Sequence, residues 1–274
     1  MTKIGFVASI LLTGMVAGAA GAAIAQFLPN TFPEARVLEI VDERLASNEA
    51  FREPLDASIE TYLMANPKIL ERVSEALARE RGAEQRAKNK ETIESNRQAL
   101  FAGLGSVVVG NPDGDVTIVE MYDYNCEYCR RAMPDVMGLI EDDPELKVIL
   151  RQFPILSPGS VDAAKVGTLV AGEGADYWSF HQELFTARGP VDLEVALEAA
   201  ASVGLDPKGL RARLNEPAVD AAIAESFTLA QQLGVTGTPT FIIGDEIIPG
   251  AVGVEVLREK IVNVRACGST ACGE

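Results

Sequence analysis

Cys126-Glu127-Tyr128-Cys129 follows, after one short turn, the run Val116-Thr117-Ile118-Val119-Glu120-Met121-Tyr122. That run is rich in β-branched and aromatic residues and reads as a strand. From Glu127 to Ile140 the apolar residues Tyr128, Ala132, Val136, Met137 and Ile140 recur at helical spacing. Asp123-Tyr124-Asn125 is then the turn between them, and Pro134 is expected to kink the helix. The sequence thus sets a cysteine at the head of a helix that leaves a strand. Leu146 to Phe153 reads as the next strand, so strand, helix and strand form a parallel pair with a right-handed crossover, an α/β arrangement.

Two cysteines at this spacing serve as half of a zinc site or as a dithiol that makes and breaks a disulfide. A closed zinc site needs four ligands, and the chain has 4 Cys and 1 His. The remaining pair, Cys267 and Cys272, lies in what reads as a loose C-terminal tail. The redox reading needs a thiol at a helix N-terminus, where unpaired N–H groups and the helix dipole favour the thiolate. Glu120, six positions before Cys126, is a carboxylate in an apolar strand. Desolvation there raises its pKa and suits it to exchange protons with Cys129; the alternative is a solvent-facing Glu120. In Gly237-Thr238-Pro239-Thr240-Phe241-Ile242-Ile243 a proline opens another strand. A cis bond at Pro239 would set the Thr238 backbone beside the thiols, where a substrate peptide pairs with it; most X-Pro bonds are trans.

Together Glu120, Cys126-x-x-Cys129 and Thr238-Pro239 resemble the thioredoxin fold. The finer likeness is to the DsbA-like thiol-disulfide oxidoreductases of the periplasm, and within them to the ScsC-like branch associated with copper tolerance. It rests on Tyr122-Asp123-Tyr124-Asn125-Cys126, Phe153-Pro154-Ile155-Leu156-Ser157, Tyr177-Trp178-Ser179-Phe180-His181 and Gly234-Val235-Thr236-Gly237-Thr238-Pro239-Thr240, in family order across about 107–264. The resemblance implies a thioredoxin-like fold with an inserted helical subdomain, preceded by a helical N-terminal region. It implies Cys126 as nucleophile, Cys129 as resolving thiol, Glu120 as buried carboxylate and Pro239 as cis-proline, with Thr238 beside it for substrate. Glu127 departs from the Pro or Gly usual in the branch, and Cys267/Cys272 lie outside the common pattern.

The N-terminus bears on compartment. Lys3 precedes an uncharged stretch from Ile4 to Pro33, and Ala23-Ile24-Ala25 fits a small-x-small cleavage site. Residues 1–25 read as a signal peptide or, alternatively, an uncleaved inner-membrane anchor, since Ile4 to Leu28 is long enough to span a bilayer. Either places the body outside the cytoplasm, where disulfides persist. A net charge of -16 argues against nucleic acid as a partner.

Residues 34–101 have helical periodicity and few turn residues. Val37, Ile40, Val41 and Leu45 mark one apolar face, and Leu55, Ile59, Tyr62 and Leu63 another. Asn66-Pro67 opens a helix carrying Ile69, Leu70, Val73 and Leu77. Such helices bury little alone. They pack either on the catalytic domain or in a homo-oligomer, a dimer or trimer, with the polar helix from about 78 to 100 as an arm. The catalytic domain is expected at 107–264, with a helical insertion at about 161–233, a hairpin around Gly244-Asp245 and a closing helix from Val254 to Val264. Residues 265–274 form the tail, where Cys267 and Cys272 are read as a second disulfide; a relay to Cys126 or a soft-metal site is the alternative. His181 and Trp178, in an aromatic cluster, read as packed residues.

These features add up to an exported protein thiol-disulfide oxidoreductase, oxidase or isomerase, needing no cofactor and no resident metal. Its partners are cysteine-containing exported proteins and a membrane redox partner of unknown identity. Glu127 and Tyr128 tune the thiol: the Glu127 charge is expected to make Cys126 less acidic than a neutral residue would. The alternative is a copper-tolerance protein that holds Cu(I) or unfolded chains through the same thiols.

Overall fold

The computed structural model describes residues 49–272, and side-chain exposure from Leu55 onward. The signal or anchor segment at 1–25 and the Val37–Leu45 face lie outside the described residues. Among the described residues, no helix is long and apolar enough to cross a membrane. The described residues fall into two units, divided between Glu75 and Ala76.

In the first unit, α1 (Glu49–Ala65) is followed by α2 (Lys68–Ser95), which continues into the second. Their apolar residues Leu55, Ile59, Tyr62, Leu70 and Val73 are exposed.

The second unit is built on a five-stranded sheet in the order β1-β3-β2-β4-β5. The strands are β1 (Val107–Gly110), β2 (Val116–Tyr122), β3 (Leu146–Gln152), β4 (Thr240–Ile243) and β5 (Glu246–Pro249). β2 and β3 are parallel, joined through α4 (Glu127–Asp142) as the sequence predicts, and the other pairings are antiparallel. Pro134 lies inside α4, which runs through it without a break. Because side chains alternate along a strand, β2 sends Ile118 and Tyr122 into one apolar cluster and Val119 and Met121 into another. Both faces of the sheet are therefore covered, which is why β2 and β3 read as nearly unbroken apolar runs. Glu120 shares the parity of Ile118 and Tyr122, so it points to the face where Cys126 and Cys129 are packed.

The insertion comprises α5 (Pro158–Gly172), α6 (Tyr177–Thr186), α7 (Leu193–Ser202), α8 (Pro207–Arg213) and α9 (Pro217–Leu233). It opens at Pro158 rather than Val161, because Ser157 caps α5 by accepting the Ser160 N–H. Asp176, Asp192 and Asp206 cap α6, α7 and α8 in the same way. α9 ends at Gly234, whose φ of 69° is the left-handed region that glycine enters without strain.

Three features differ from the sequence expectation. The sheet-bearing unit begins at Ala76, not near Val107, because the end of α2 and α3 (Arg97–Ala102) pack onto the sheet. Ile93 and Leu100 are buried with Val119, Met121, Ile149 and Ile242, so this stretch is not a free polar arm. Second, the closing helix α10 (Val254–Cys267) runs three residues past Val264. Third, the C-terminal segment is not loose. Thr270 is fully buried, its N–H and hydroxyl each donating to Asp245 Oδ1 at 2.8 Å, while the Ser269 hydroxyl donates to Oδ2 at 2.7 Å. Cys267 and Cys272 are joined by a disulfide that closes this loop.

Candidate active site

Cys126 is the N-cap of α4, in extended backbone at φ −84°, ψ 117°. Its carbonyl accepts the Arg130 N–H at 3.0 Å, and its own N–H donates to Asp123 at 3.0 Å, closing the turn. The first N–H groups of α4 have no intrahelical acceptor and face the sulfur. Cys126 and Cys129 are free thiols, 5% and 0% exposed. The Cys126 Sγ–H donates to the Thr238 carbonyl at 3.1 Å, across 112 residues of sequence. The Thr238-Pro239 bond is cis. The fold thus brings together Cys126, Cys129, Glu120, Thr238 and Pro239, which the sequence scatters over 120 positions.

The electrostatics divide the two thiols. Cys126 is lowered from 9.0 to about 5, first by a hydrogen bond from the Cys129 thiol and, against the cost of burial, by the Thr238 side chain and the backbone N–H groups of Cys129 and Tyr128. Cys129 is pushed far above the thiol range, by burial, by donating to Cys126 and by the nearby Glu120 charge. Burial, then the Cys126 charge, raises the Glu120 carboxyl from 4.5 to about 8. Its Oε2 is buried with no hydrogen-bond partner. One thiol is therefore poised as an anion, the other held neutral, with a protonated acid beside them.

Glu127 and Tyr128 lie at the rim. Tyr128 is 56% exposed, with the Arg131 guanidinium 4.3 Å from its ring centre. The loop closed by Cys267 and Cys272 is held to the β4–β5 turn through Ser269 and Thr270, at the end of the sheet away from Thr240 and Tyr122 where the thiols lie. His181 is fully buried, its pKa lowered to about 3 by desolvation. Its Nδ1 lies 3.1 Å from the Tyr124 hydroxyl, in a cluster where the hydroxyls of Tyr122, Tyr124 and Tyr177 meet at 2.7–3.3 Å.

The residues that shape the turn were not identified from sequence. Asp123, 2% exposed, accepts from Asn125 N–H through Oδ1 at 2.8 Å and from the Ile155 and Leu156 N–H groups through Oδ2. The Asn125 amide exchanges hydrogen bonds of 2.7 and 2.8 Å with the Val191 backbone and donates to Ser160. Arg130 holds the carbonyls of Phe185 and Ala187. The Asp-x-Asn pattern signals a side-chain-bonded turn, but its distant partners belong to the tertiary fold.

Residues 117–262, more than half of the chain, match the family of DSBA-like thioredoxin domains. The chain belongs to this family. A solved thioredoxin-like oxidoreductase from Silicibacter pomeroyi is 41% identical, covers 63% of this chain and 99% of its own, and superposes with a TM-score of 0.60. ScsC of Proteus mirabilis, in a transitional conformation, is 26% identical over 80% of this chain and 99% of its own, TM-score 0.59. The thiol-disulfide exchange protein α-DsbA2 of Wolbachia pipientis is 30% identical over 65% and 97%, TM-score 0.58. Among curated relatives, the Na(+)/H(+) antiporter NhaA 1 of Salinispora arenicola is 29% identical over 58% of this chain, and the chain spans about a quarter, 24%, of that protein. Disulfide bond formation protein D of Bacillus subtilis is 25% identical over 57% of this chain and 76% of its own length. The DSBA-like domain thus has the thioredoxin-like fold that the sequence anticipates.

Proposed function

We propose that this DSBA-like protein is exported to the periplasm and oxidises or reshuffles disulfides in other exported proteins, with Cys126 as its nucleophile and attack point. The carrying observation is the split between the two thiols, Cys126 lowered to about 5 and Cys129 raised beyond the thiol range. Stabilising the reduced enzyme as a thiolate makes its disulfide a stronger oxidant.

In the oxidised enzyme a substrate thiolate attacks Cys126 Sγ. The Cys126–Cys129 bond breaks, and Cys129 leaves with a proton from Glu120. A substrate segment pairs with the Thr238 backbone and holds the mixed disulfide in place. The substrate's second thiolate then attacks its own sulfur of that bond, and Cys126 leaves as a thiolate. The substrate has lost two electrons and the enzyme holds both thiols. In reverse, Cys126 attacks a substrate disulfide and Cys129, deprotonated by Glu120, resolves the adduct. A membrane redox partner resets the pair, and the exposed faces of α1 and α2 serve self-association.

The test compares oxidation of a reduced protein substrate with refolding of one carrying scrambled disulfides. The wild type is expected to work in at least one assay, and Cys126→Ser in neither. Activity in neither, with tight Cu(I) binding, overturns the reading in favour of metal capture by the two thiols.

A further inference from the structure

Two hollows flank the Gly234–Pro239 segment and share Gly234, Val235 and Thr236. The first, about 460 Å³, lies between this segment and α2, where Gln85 and Asn89 face it. These residues are four apart, on one side of the helix, and the Gln85 amide donates to Asn89 Oδ1 at 2.9 Å. That bond leaves the Asn89 amide N–H groups and the Gln85 oxygen for another partner. Among the described residues, no backbone hydrogen bond reaches the N–H of Thr236 or Thr238. The hollow is therefore walled by amide groups on one side and, on the other, by a segment with two unpaired N–H groups, donors that an extended peptide can meet.

The second hollow, about 490 Å³, lies on the α9 side of the same segment. Its apolar wall is Phe153, Val235 and Phe227, with the two rings 5.3 Å apart in a T-shaped contact. Phe153 and Val235 are buried, but Phe227 is 40% exposed and offers its ring to whatever enters. Thr236, at the junction, is two residues from Thr238, whose carbonyl meets the Cys126 thiol. Extended chain advances about 3.3 Å per residue. A substrate chain running alongside Thr238 to Thr236 would carry the residues two or three from its cysteine past the junction of the two hollows.

We infer that these hollows form one substrate groove, in which Gln85 and Asn89 hold the backbone of an unfolded polypeptide and the Phe227 hollow selects an apolar side chain two or three residues from its reactive cysteine. This rests on the disulfide-exchange reading and names the substrate class for that site. It also gives α2 a part in substrate binding.

The experiment follows oxidation of reduced dicysteine peptides by the oxidised full-length chain, with Phe or Ser placed two or three residues from the first cysteine. The Phe peptides are expected to have kcat/KM about tenfold above the Ser peptides, the discrimination that an apolar pocket supplies. Phe227→Ser is expected to bring that ratio close to one, and Phe227→Leu to restore most of it. Gln85→Ala/Asn89→Ala is expected to raise KM for both peptides and leave their ratio in place. Equal rates for the two peptides in the wild type, or an unchanged ratio in Phe227→Ser, overturn the groove while leaving disulfide exchange standing. A wild-type chain that oxidises neither these peptides nor a small dithiol overturns the exchange reading, and the groove with it.

Discussion

Ionising Glu120 inside the fold strips water from a carboxylate that has an unpartnered oxygen and a thiolate close by. The cost appears as a pH dependence of stability. Below about pH 4.5 both folded and unfolded chains hold the proton. Between 4.5 and about 8 the unfolded chain releases it and the folded one keeps it, so the Glu120 contribution falls as pH rises and levels off above 8, while Cys126, lowered from 9.0 to about 5, contributes the opposite slope over nearly the same range. The shift corresponds to at most about 5 kcal/mol. Glu120→Gln is expected to remove the falling contribution, so that stability rises from pH 5 to pH 8 with the Cys126 thiolate, and to gain about 3 kcal/mol at pH 8 relative to the wild type, read from urea unfolding at the two pH values. The same change removes the proton carrier for Cys129 and is expected to slow resolution of a mixed disulfide about 100-fold. Equal slopes in the two proteins would refute the buried-acid account. Glu127, another carboxylate, opposes the Cys126 thiolate in the same sense. Like charges at about 4 Å in water-like surroundings repel by about 1 kcal/mol, so Glu127→Gln should lower the Cys126 pKa by less than one unit. Titration of thiolate absorbance checks it, and an unchanged or higher value sinks it.

The strand–helix junction was legible because β2 and α4 carry their own periodicities, and because Cys126, at the junction, is marked by its spacing from Cys129. The turn between them is held by partners that no local pattern reveals. Asn125 reaches Val191 over 66 residues, and both its amide atoms are used. Asn125→Ala leaves the fully buried Val191 N–H without an acceptor, at a cost of about 1–3 kcal/mol. The expected result is a lower unfolding midpoint together with slower exchange, since the insertion then sits less firmly against the Cys126 turn. The C-terminal disulfide is a contrasting element. It ties a short loop to the β4–β5 turn, remote from the thiols. Cys267→Ser/Cys272→Ser should cost about 2 kcal/mol, the closure entropy of so small a loop. Its exchange rate should match the wild type; a loss of exchange with stability intact would revive the relay to Cys126. Periodicity also missed β1, only four residues long, and the packing role of Ile93 and Leu100. These two are spaced among charges, and their partners are sheet residues rather than helix neighbours.

That last difference bears on how the molecule divides. Were the catalytic unit to begin near Val107, removing everything before it would leave a sound domain. Instead Ile93 and Leu100 cover Val119, Met121 and Ile149, and each large apolar side chain fully buried is worth about 1.5–3 kcal/mol. A chain starting at Val107 is expected to lose about 4 kcal/mol from these two alone, lowering Tm by about 10 °C. A chain starting at Ala76 keeps them, and with them the Gln85 and Asn89 wall. It is the form in which self-association can be judged without damage to the sheet. The exposed Leu55, Ile59, Tyr62, Leu70 and Val73 all precede the cut, and a stripe of that size usually finds a partner. Sedimentation of the full-length chain is expected to give a dimer or trimer, and of the Ala76 form a monomer with the unfolding midpoint of the sheet-bearing unit preserved. If both sediment at the same mass state, the α1 and α2 faces are not the contact between copies. If the Ala76 form also loses stability, the first 75 residues support the fold rather than assembly.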